Sequence, residues 1–444
     1  MGKPIIAIVG KPNVGKSTLF NRIIGKRLAI ISEVAGTTRD RIYQNISIND
    51  FPVSLVDTGG LSYETNDNIE NNIQSQAKVA INEADLIYFV IDAAQQLTIE
   101  DFNAADILRK SNKKVILIAN KFDSKEADSR IVELYSLGFG DPIGVSSIHN
   151  IGIDELNEVT LKALKDLKFK PIKEKKQDKN SIKICLLGRP NVGKSSLVNA
   201  MLGQNRVIVS DIPGTTRDSL DINIKIDDKN YILVDTAGLK RRGKIVPGID
   251  KFSSLRVFRA LDDSDIALLM LDFKEGISKQ DMHIAQFILE AKKGLILVVN
   301  KIDLAEEEKD RDKFLSKVMD KFIFLPWAPL VFVSALKRKN INKIFEITEN
   351  IIQERNKRIS TGELNTFIKR TTIKHHPSGT KRIKPKIFYV SQTGINPPEF
   401  VFFVNDAGAL HFSYRRYLEN ELRKAYSFAG TAISLVFRNR ERKE

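Results

Sequence analysis

Residues 10 to 40 and residues 188 to 218 are two copies of one sequence, held at a constant offset of 178. Written out as GKPNVGKSTLFNRIIGKRLAIISEVAGTTRD and GRPNVGKSSLVNAMLGQNRVIVSDIPGTTRD, they agree at 17 of 31 positions. A repeat of this length means a duplicated unit, so a fold assigned to one copy must also hold for the other. The offset carries Asp57-Thr58-Gly59-Gly60 onto Asp235-Thr236-Ala237-Gly238. It then grows to 180 at Asn120/Asn300 and 188 at Ser146/Ser334, so later loops differ in length.

Within each copy, short apolar runs alternate with longer amphipathic stretches. The first has IIAIV (5–9), VSLVD (53–57), LIYFVID (86–92), KVILIAN (114–120) and IGVSS (143–147). The second has IKICLL (182–187), YILVD (231–235), IALLMLD (266–272), LILVVN (295–300) and LVFVSA (330–335). Runs this apolar fit strands covered on both faces, with the intervening segments supplying crossover helices. The expected fold class is therefore α/β, a doubly wound and mainly parallel sheet twice over. The stretches that follow each phosphate loop read as polar and strand-poor. At about 150 residues per domain, the 444-residue length leaves room for a third domain. Its elements read α-β-β-α-β, with a helical stretch including Glu363 to Arg370, strands KIFYVSQ (386–392) and EFVFFVND (399–406), a basic segment SYRRYLENELRKAYSF (413–428), and AISLVFRNR (432–440). The expected boundaries are 1–165, a Lys-rich linker at 166–181, 182–357, and 358–444.

Gly10-Lys11-Pro12-Asn13-Val14-Gly15-Lys16-Ser17 satisfies G-x-x-x-x-G-K-[ST] between a strand and a helix, the context that a phosphate loop requires. Its glycines let successive backbone N–H groups wrap a phosphate, and the helix N-terminus adds free donors. Gly188-Arg189-Pro190-Asn191-Val192-Gly193-Lys194-Ser195 repeats the pattern. One chance match is about a one-in-fifty event on residue frequencies, so two aligned matches are not chance. Lys16 and Lys194 are expected on the outer phosphates as catalytic residues, and the Ser17 and Ser195 hydroxyls on Mg²⁺.

The base is chosen elsewhere. Asn120-Lys121-Phe122-Asp123 and Asn300-Lys301-Ile302-Asp303 each end an apolar strand, where an α/β sheet presents its ligands. A carboxylate there accepts from guanine N1–H and the 2-amino group, whereas adenine has a donor at neither position. Ser146-Ser147 and Ser334-Ala335 read as the short loops supporting the base. Asp57 and Asp235 are expected to hold Mg²⁺, and Thr58, Gly59, Gly60, Thr236, Ala237 and Gly238 to line the γ-phosphate. Gly36-Thr37-Thr38-Arg39-Asp40 and Gly214-Thr215-Thr216-Arg217-Asp218 read as switch loops. There, Thr38 and Thr216 are expected to close on the metal as catalytic residues only when a γ-phosphate is present. The expected substrate is GTP, with GDP left after hydrolysis.

With these residues in place, the chain resembles the Der (EngA) family of bacterial GTPases with two tandem G domains. The likeness extends over essentially the whole chain and rests on the paired P-N-V-G-K-S and G-T-T-R-D motifs. It implies two P-loop GTPase domains and a C-terminal KH-like α+β domain. It also implies hydrolysis of GTP coupled to assembly of the large ribosomal subunit, with its rRNA as partner. Leu61 and Leu239 stand where a Ras-like protein has its water-orienting glutamine, so intrinsic hydrolysis is expected to be slow. Asn13 and Asn191 either brace their loops or give an amide oxygen to K⁺; similarity to related GTPases with the same asparagine favours K⁺.

The formal charge of +15 favours a polyanionic partner. From residue 358 to 444 there are 16 Lys or Arg against 7 Asp or Glu, so that fifth of the chain carries +9. Gly362, Gly379, Gly394, Gly408 and Gly430 include no two spaced as G-x-x-G, the loop by which KH domains clamp RNA. Tyr414, Arg415, Arg416, Tyr417, Arg423 and Lys424 either meet RNA or dock on a G domain. Arg241, Arg242 and Lys244 read as a basic switch after the second D-x-x-G. His375 and His376 read as exposed loop residues. The lone Cys185 excludes a disulfide framework or a structural zinc site and reads as core. No apolar run approaches 20 residues, and the opening Met1-Gly2-Lys3-Pro4 carries no secretory or myristoylation pattern. A cytoplasmic, ribosome-associated monomer that meets no membrane is expected. Two other classes compete. An RNA-modifying GTPase would need a C-terminal catalytic cysteine that is absent here, and a non-hydrolysing module has only the missing glutamines in its favour.

Overall fold

The computed structural model describes residues 3–25, 43–59, 80–169, 181–203, 207–210, 221–226, 228–235, 254–377 and 385–440. The chain forms two compact units, one built on a six-stranded sheet and the other on a seven-stranded sheet together with a three-stranded one.

The first sheet is ordered β2 (Tyr43–Ile48), β3 (Phe51–Asp57), β1 (Ile5–Val9), β4 (Leu86–Asp92), β5 (Lys114–Asn120), β6 (Ile143–Val145). All its pairings are parallel except β2 with β3. Every residue of β1 and β4 is buried, as expected for central strands covered on both sides. The helices are α1 (Lys16–Gly25), α2 (Ile99–Lys110), α3 (Lys125–Leu134) and α4 (Ile153–Asp166). β1 lies between β3 and β4, so consecutive parallel strands leave it in opposite directions and a crevice opens at its C-terminal end. Leu167 and Phe169 pack on this core, so the first unit extends beyond residue 165, at least to Phe169.

The second sheet repeats the plan as β13 (Leu330–Phe332), β12 (Gly294–Asn300), β11 (Ile266–Asp272), β7 (Ser181–Leu187), β10 (Lys229–Val234), β9 (Ile222–Ile226), β8 (Val207–Ser210). Ser181, expected in the linker, already belongs to β7. Its helices are α5 (Lys194–Leu202), α6 (Ser254–Asp262), α7 (Lys279–Glu290), α8 (Glu308–Lys321) and α9 (Ile341–Asn356). The antiparallel strands β2, β8 and β9 correct the reading of these stretches as strand-poor. They are edge or near-edge strands, and in β2 and β9 burial alternates along the strand, so these sequences lack the apolar runs of the centre. Cys185 is core: burial pushes its thiol up to about 12, and the Ser264 hydroxyl donates to its sulfur at 3.2 Å.

The third sheet, β14 (Ile387–Gly394), β15 (Glu399–Val404), β16 (Ser434–Asn439), carries α10 (Thr361–Lys374) and α11 (Phe412–Tyr426). The observed order is α-β-β-α-β, as expected. One face buries Phe400, Phe402 and Val404 against Leu364, Ile368, Leu418 and Leu422 of the two helices.

This module docks on the second G-type sheet through a continuous polar seam. The Leu295 N–H donates to the Gly430 carbonyl at 2.8 Å, and the Gly430 N–H to the Trp327 carbonyl at 2.8 Å. The buried guanidinium of Arg355, near the end of α9, donates to Asn396 Oδ1 (2.8 Å), Thr431 Oγ1 (2.9 Å) and the Lys292 carbonyl (3.1 Å). Arg423 lies 4.8 Å from the Trp327 ring centroid and donates to the Phe428 and Thr431 carbonyls. Of the two readings of the basic segment, docking therefore claims Arg423. Tyr414 is also buried, and its hydroxyl donates to the His375 carbonyl at 2.8 Å. His375 and His376 are both exposed.

Candidate functional site

At the crevice of the first sheet, β1 ends at Val9 and the chain turns over the central strand. A Cβ on Gly15 would sit 2.3 Å from Asn120 Nδ2, and its φ of +92° is one that other residues rarely adopt. Gly193 repeats this against Asn300 Nδ2 at 2.3 Å with φ +97°. Asn13 and Asn191 both sit at φ 65°, the left-handed region that asparagine tolerates. Pro12, Pro190, Asn13 and Asn191 are exposed, while Val14 and Val192 anchor the loops in the core.

Lys16 and Ser17 open α1 beneath this loop. The Lys16 ammonium donates to the Lys11 carbonyl at 2.8 Å, and burial holds its pKa below the usual lysine value, with Asp57 opposing. The Ser17 hydroxyl donates to Asp57 Oδ2 at 2.5 Å, and the Gly59 N–H donates to Oδ1 at 2.8 Å. The Thr58 hydroxyl bonds back to the Ile8 carbonyl at 2.6 Å. The two oxygen donors expected on Mg²⁺ are thus adjacent, a donor set that suits a hard cation. In the second copy Lys194 donates to the Gly188 and Arg189 carbonyls at 2.7 and 2.6 Å. Asp235 follows β10 with φ 54°, while Ser195 lies in the first turn of α5.

The residues expected to read the base form a second, interlocked layer. Asn120 Nδ2 donates to the Val14 carbonyl at 2.8 Å, tying the base strand to the phosphate loop. Its Oδ1 accepts from the Ser147 N–H (3.2 Å) and hydroxyl (2.7 Å). The Ser146 hydroxyl donates to Asp123 Oδ2 at 2.6 Å. Lys121, at φ 61°, crosses to Asp92 Oδ2 at 2.6 Å, and the Phe122 ring packs against Gly144. The second copy repeats these polar contacts but one. Asn300 donates to the Val192 carbonyl (2.9 Å), Ala335 N–H to Asn300 Oδ1 (3.0 Å), Ser334 to Asp303 Oδ1 (2.5 Å) and Lys301 to Asp272 Oδ2 (2.5 Å). Ile302 is buried, and its N–H donates to the Val333 carbonyl. Alanine at 335 forfeits only the hydroxyl bond that Ser147 makes.

Asp92 and Asp272 escaped the sequence reading, although each closes an all-apolar strand in both repeats, which was the available signal. Thr38, Gly60, Leu61, Thr216, Thr236, Ala237, Gly238 and Leu239 lie outside the described residues, as do Arg241, Arg242 and Lys244.

Two stacked layers, one shaped for phosphates and one for a purine edge, define a P-loop GTPase, present here in tandem. Family models agree. One described as a 50S ribosome-binding GTPase matches residues 5–121 and again 183–301. Another, the KH-domain-like C-terminal domain of EngA bacterial GTPases, matches 358–438. GTPase Der of Thermomicrobium roseum is 46% identical, with all of this chain and 97% of the relative aligned. GTPase Der of Clostridium kluyveri is 42% identical over 99% and 100% of the two chains. The chain belongs to the Der family of GTPases.

Proposed function

We propose that both sites bind GTP with Mg²⁺, hydrolyse it slowly, and use its presence to set the chain's affinity for the large ribosomal subunit during assembly. The observation that carries this reading is the preformed base layer, whose contacts repeat at both sites except for the Ser147 hydroxyl bond. Bound there, Mg²⁺ would be held by Ser17 and Asp57, and by Ser195 and Asp235, and would neutralise charge on the phosphates. Thr38 and Thr216 would complete that shell. The protein is read as a monomer acting in the cytoplasm; among the described residues no helix is long and apolar enough to cross a membrane.

With leucine at 61 and 239, a cation supplied from solution is the proposed substitute for a missing catalytic group. Asn13 and Asn191 are exposed beside the phosphates and would offer their amide oxygens to K⁺. Turnover in K⁺ is expected to exceed turnover in Na⁺ about tenfold or more at equal ionic strength, on the scale of charge stabilisation by a positioned cation. Equal rates in the two salts would sink the K⁺ role.

The rRNA partner is supported by the outer face of the third sheet. A bulge at Ile387/Tyr389 accompanies two exposed neighbours, Phe388 and Tyr389. Tyr389 stacks on Phe403 (4.3 Å, 13°), and Arg438 is next in register across the sheet. Lys386 and Arg440 lie 5.7 and 5.1 Å from the Phe388 ring centroid. Aromatic rings interleaved with cations suit splayed, single-stranded nucleotides. Co-sedimentation with large subunits should occur with GTP, weaken with GDP, and fall steeply with salt. Tyr389→Ser is expected to weaken binding of a fluorescent oligouridine about tenfold while leaving GTP turnover unchanged. Nucleotide-blind sedimentation would overturn the switch, whereas an unaltered Tyr389→Ser variant would move the RNA contact to another face.

A further inference from the structure

A contact outside the known motifs recurs in both repeats. The second residue of each phosphate loop reaches the start of the helix that follows the central strand. Lys11 Nζ lies 2.8 Å from Asp101 Oδ2 and 3.2 Å from Thr98 Oγ1. In the second copy, Arg189 Nε lies 2.9 Å from Asp281 Oδ2, and its Nη2 donates to the Gly276 carbonyl at 2.7 Å. Both carboxylates are inaccessible, with side chains 1% and 0% exposed. Each also caps its own helix, accepting from the Thr98 N–H at 2.9 Å or the Ser278 N–H at 2.8 Å. At the other end of the same basic residue, the backbone carbonyl receives the phosphate lysine, Lys16 on Lys11 and Lys194 on Arg189.

We propose that Asp101 and Asp281 are positioning residues for GTP binding: each buried carboxylate latches the basic residue and thereby fixes the phosphate loop before nucleotide arrives. The inference rests on the reading that these loops hold the phosphates of GTP. A carboxylate out of water demands a cation, so the latch is held closed. A loop already in place spends less of its binding energy on becoming ordered. The two copies reach the same end with different chemistry. Lysine is a point charge supplemented by Thr98, whereas arginine spreads several N–H groups over Asp281 and a carbonyl. Because the loop grips ground state and transition state alike, the latch acts on KM far more than on kcat.

The test uses the full chain and calorimetric titration with GTP, which resolves two sites. Lys11→Met leaves the Thr98 cap in place and is expected to weaken one site about tenfold, on the scale of a small misplacement of a binding group. Arg189→Met should do the same to the other site. Lys11→Arg, which copies the second repeat, should restore affinity to within about twofold. KM for GTP should rise in parallel with the dissociation constant, with kcat falling less than about twofold. Adding Asp101→Asn to Lys11→Met removes the stranded charge but not the misplaced loop, so weak binding should persist. Unchanged affinity in Lys11→Met would overturn the proposal, as would a lowered melting temperature without weaker binding. So would recovery of affinity in the double variant. If the unaltered chain bound no GTP, the reading of the loops themselves would fall.

Discussion

Replacing Asp123 by asparagine is expected to lower GTP affinity at the first site by about a thousandfold or more, while creating affinity for xanthosine triphosphate. Guanine presents two donors, N1–H and the 2-amino group, where Asp123 offers acceptors. An amide turns one acceptor into a donor facing another donor, leaving polar groups unpaired and out of water, the circumstance in which enzymes reach their steepest discrimination. Xanthine, which carries an oxygen in place of the 2-amino group, accepts from the new amide. The effect should be large because the aspartate is held in place: the Ser146 hydroxyl donates to it at 2.6 Å, and Ser146 is itself buried. Asp303→Asn should act in the same way on the second site, where Ser334 is the partner. Titration of the full-length single variants should show one GTP equivalent in place of two, with the xanthine nucleotide filling the other. Two GTP equivalents of unchanged affinity would refute guanine recognition by these carboxylates.

The second large effect belongs to Arg355. Arg355→Leu strips the hydrogen bonds from Asn396, Thr431 and the Lys292 carbonyl; Thr431 is fully buried, whereas Asn396 and Lys292 are exposed residues. At about 1–3 kcal/mol for the buried Thr431 acceptor and about 0.5–1.5 kcal/mol for each hydrogen bond whose acceptor water can reach, the cost should be about 2–4 kcal/mol. Arg355 is itself only 2% exposed, and that burial holds its guanidinium down to about 10. Urea unfolding should show an early step in which the C-terminal module separates, with a protease-sensitive stretch at residues 356–361. GTP affinity at the first site should not change. A single transition with an unmoved midpoint would show that the seam does not depend on this residue.

Much of this was legible from residues alone, for a definite reason. Central parallel strands must be apolar on both faces, so β4, β11 and β12 announce themselves. The phosphate and base loops were readable because close backbone approach and donor matching admit few residue types. The edge strands were not legible, since β2, with one face open and neighbours on one side only, has burial that alternates along YQNISI. Nor was the docking of the third module. An arginine near the end of an amphipathic helix reads as a solvated charge, and only the tertiary arrangement surrounds Arg355 with acceptors. The latch carboxylates Asp101 and Asp281 were hidden for a related reason. A Thr-x-x-Asp or Ser-x-x-Asp string signals a helix start, and nothing local reveals a distant cation in need of a counter-charge.

The seam between the second G domain and the C-terminal module has a mechanical corollary. Its attachment points are Leu295 on β12, the strand that also bears Asn300, and Arg355 on α9, the helix that begins at Ile341 after the Ser334-Ala335 loop. With 16 residues, α9 is a rod of about 24 Å. A tilt of ten degrees at its base-side end, roughly, would therefore swing the far end by about 4 Å. Purine occupancy in this pocket would reach the third sheet as leverage through stiff elements, with no need for any loop to carry the message.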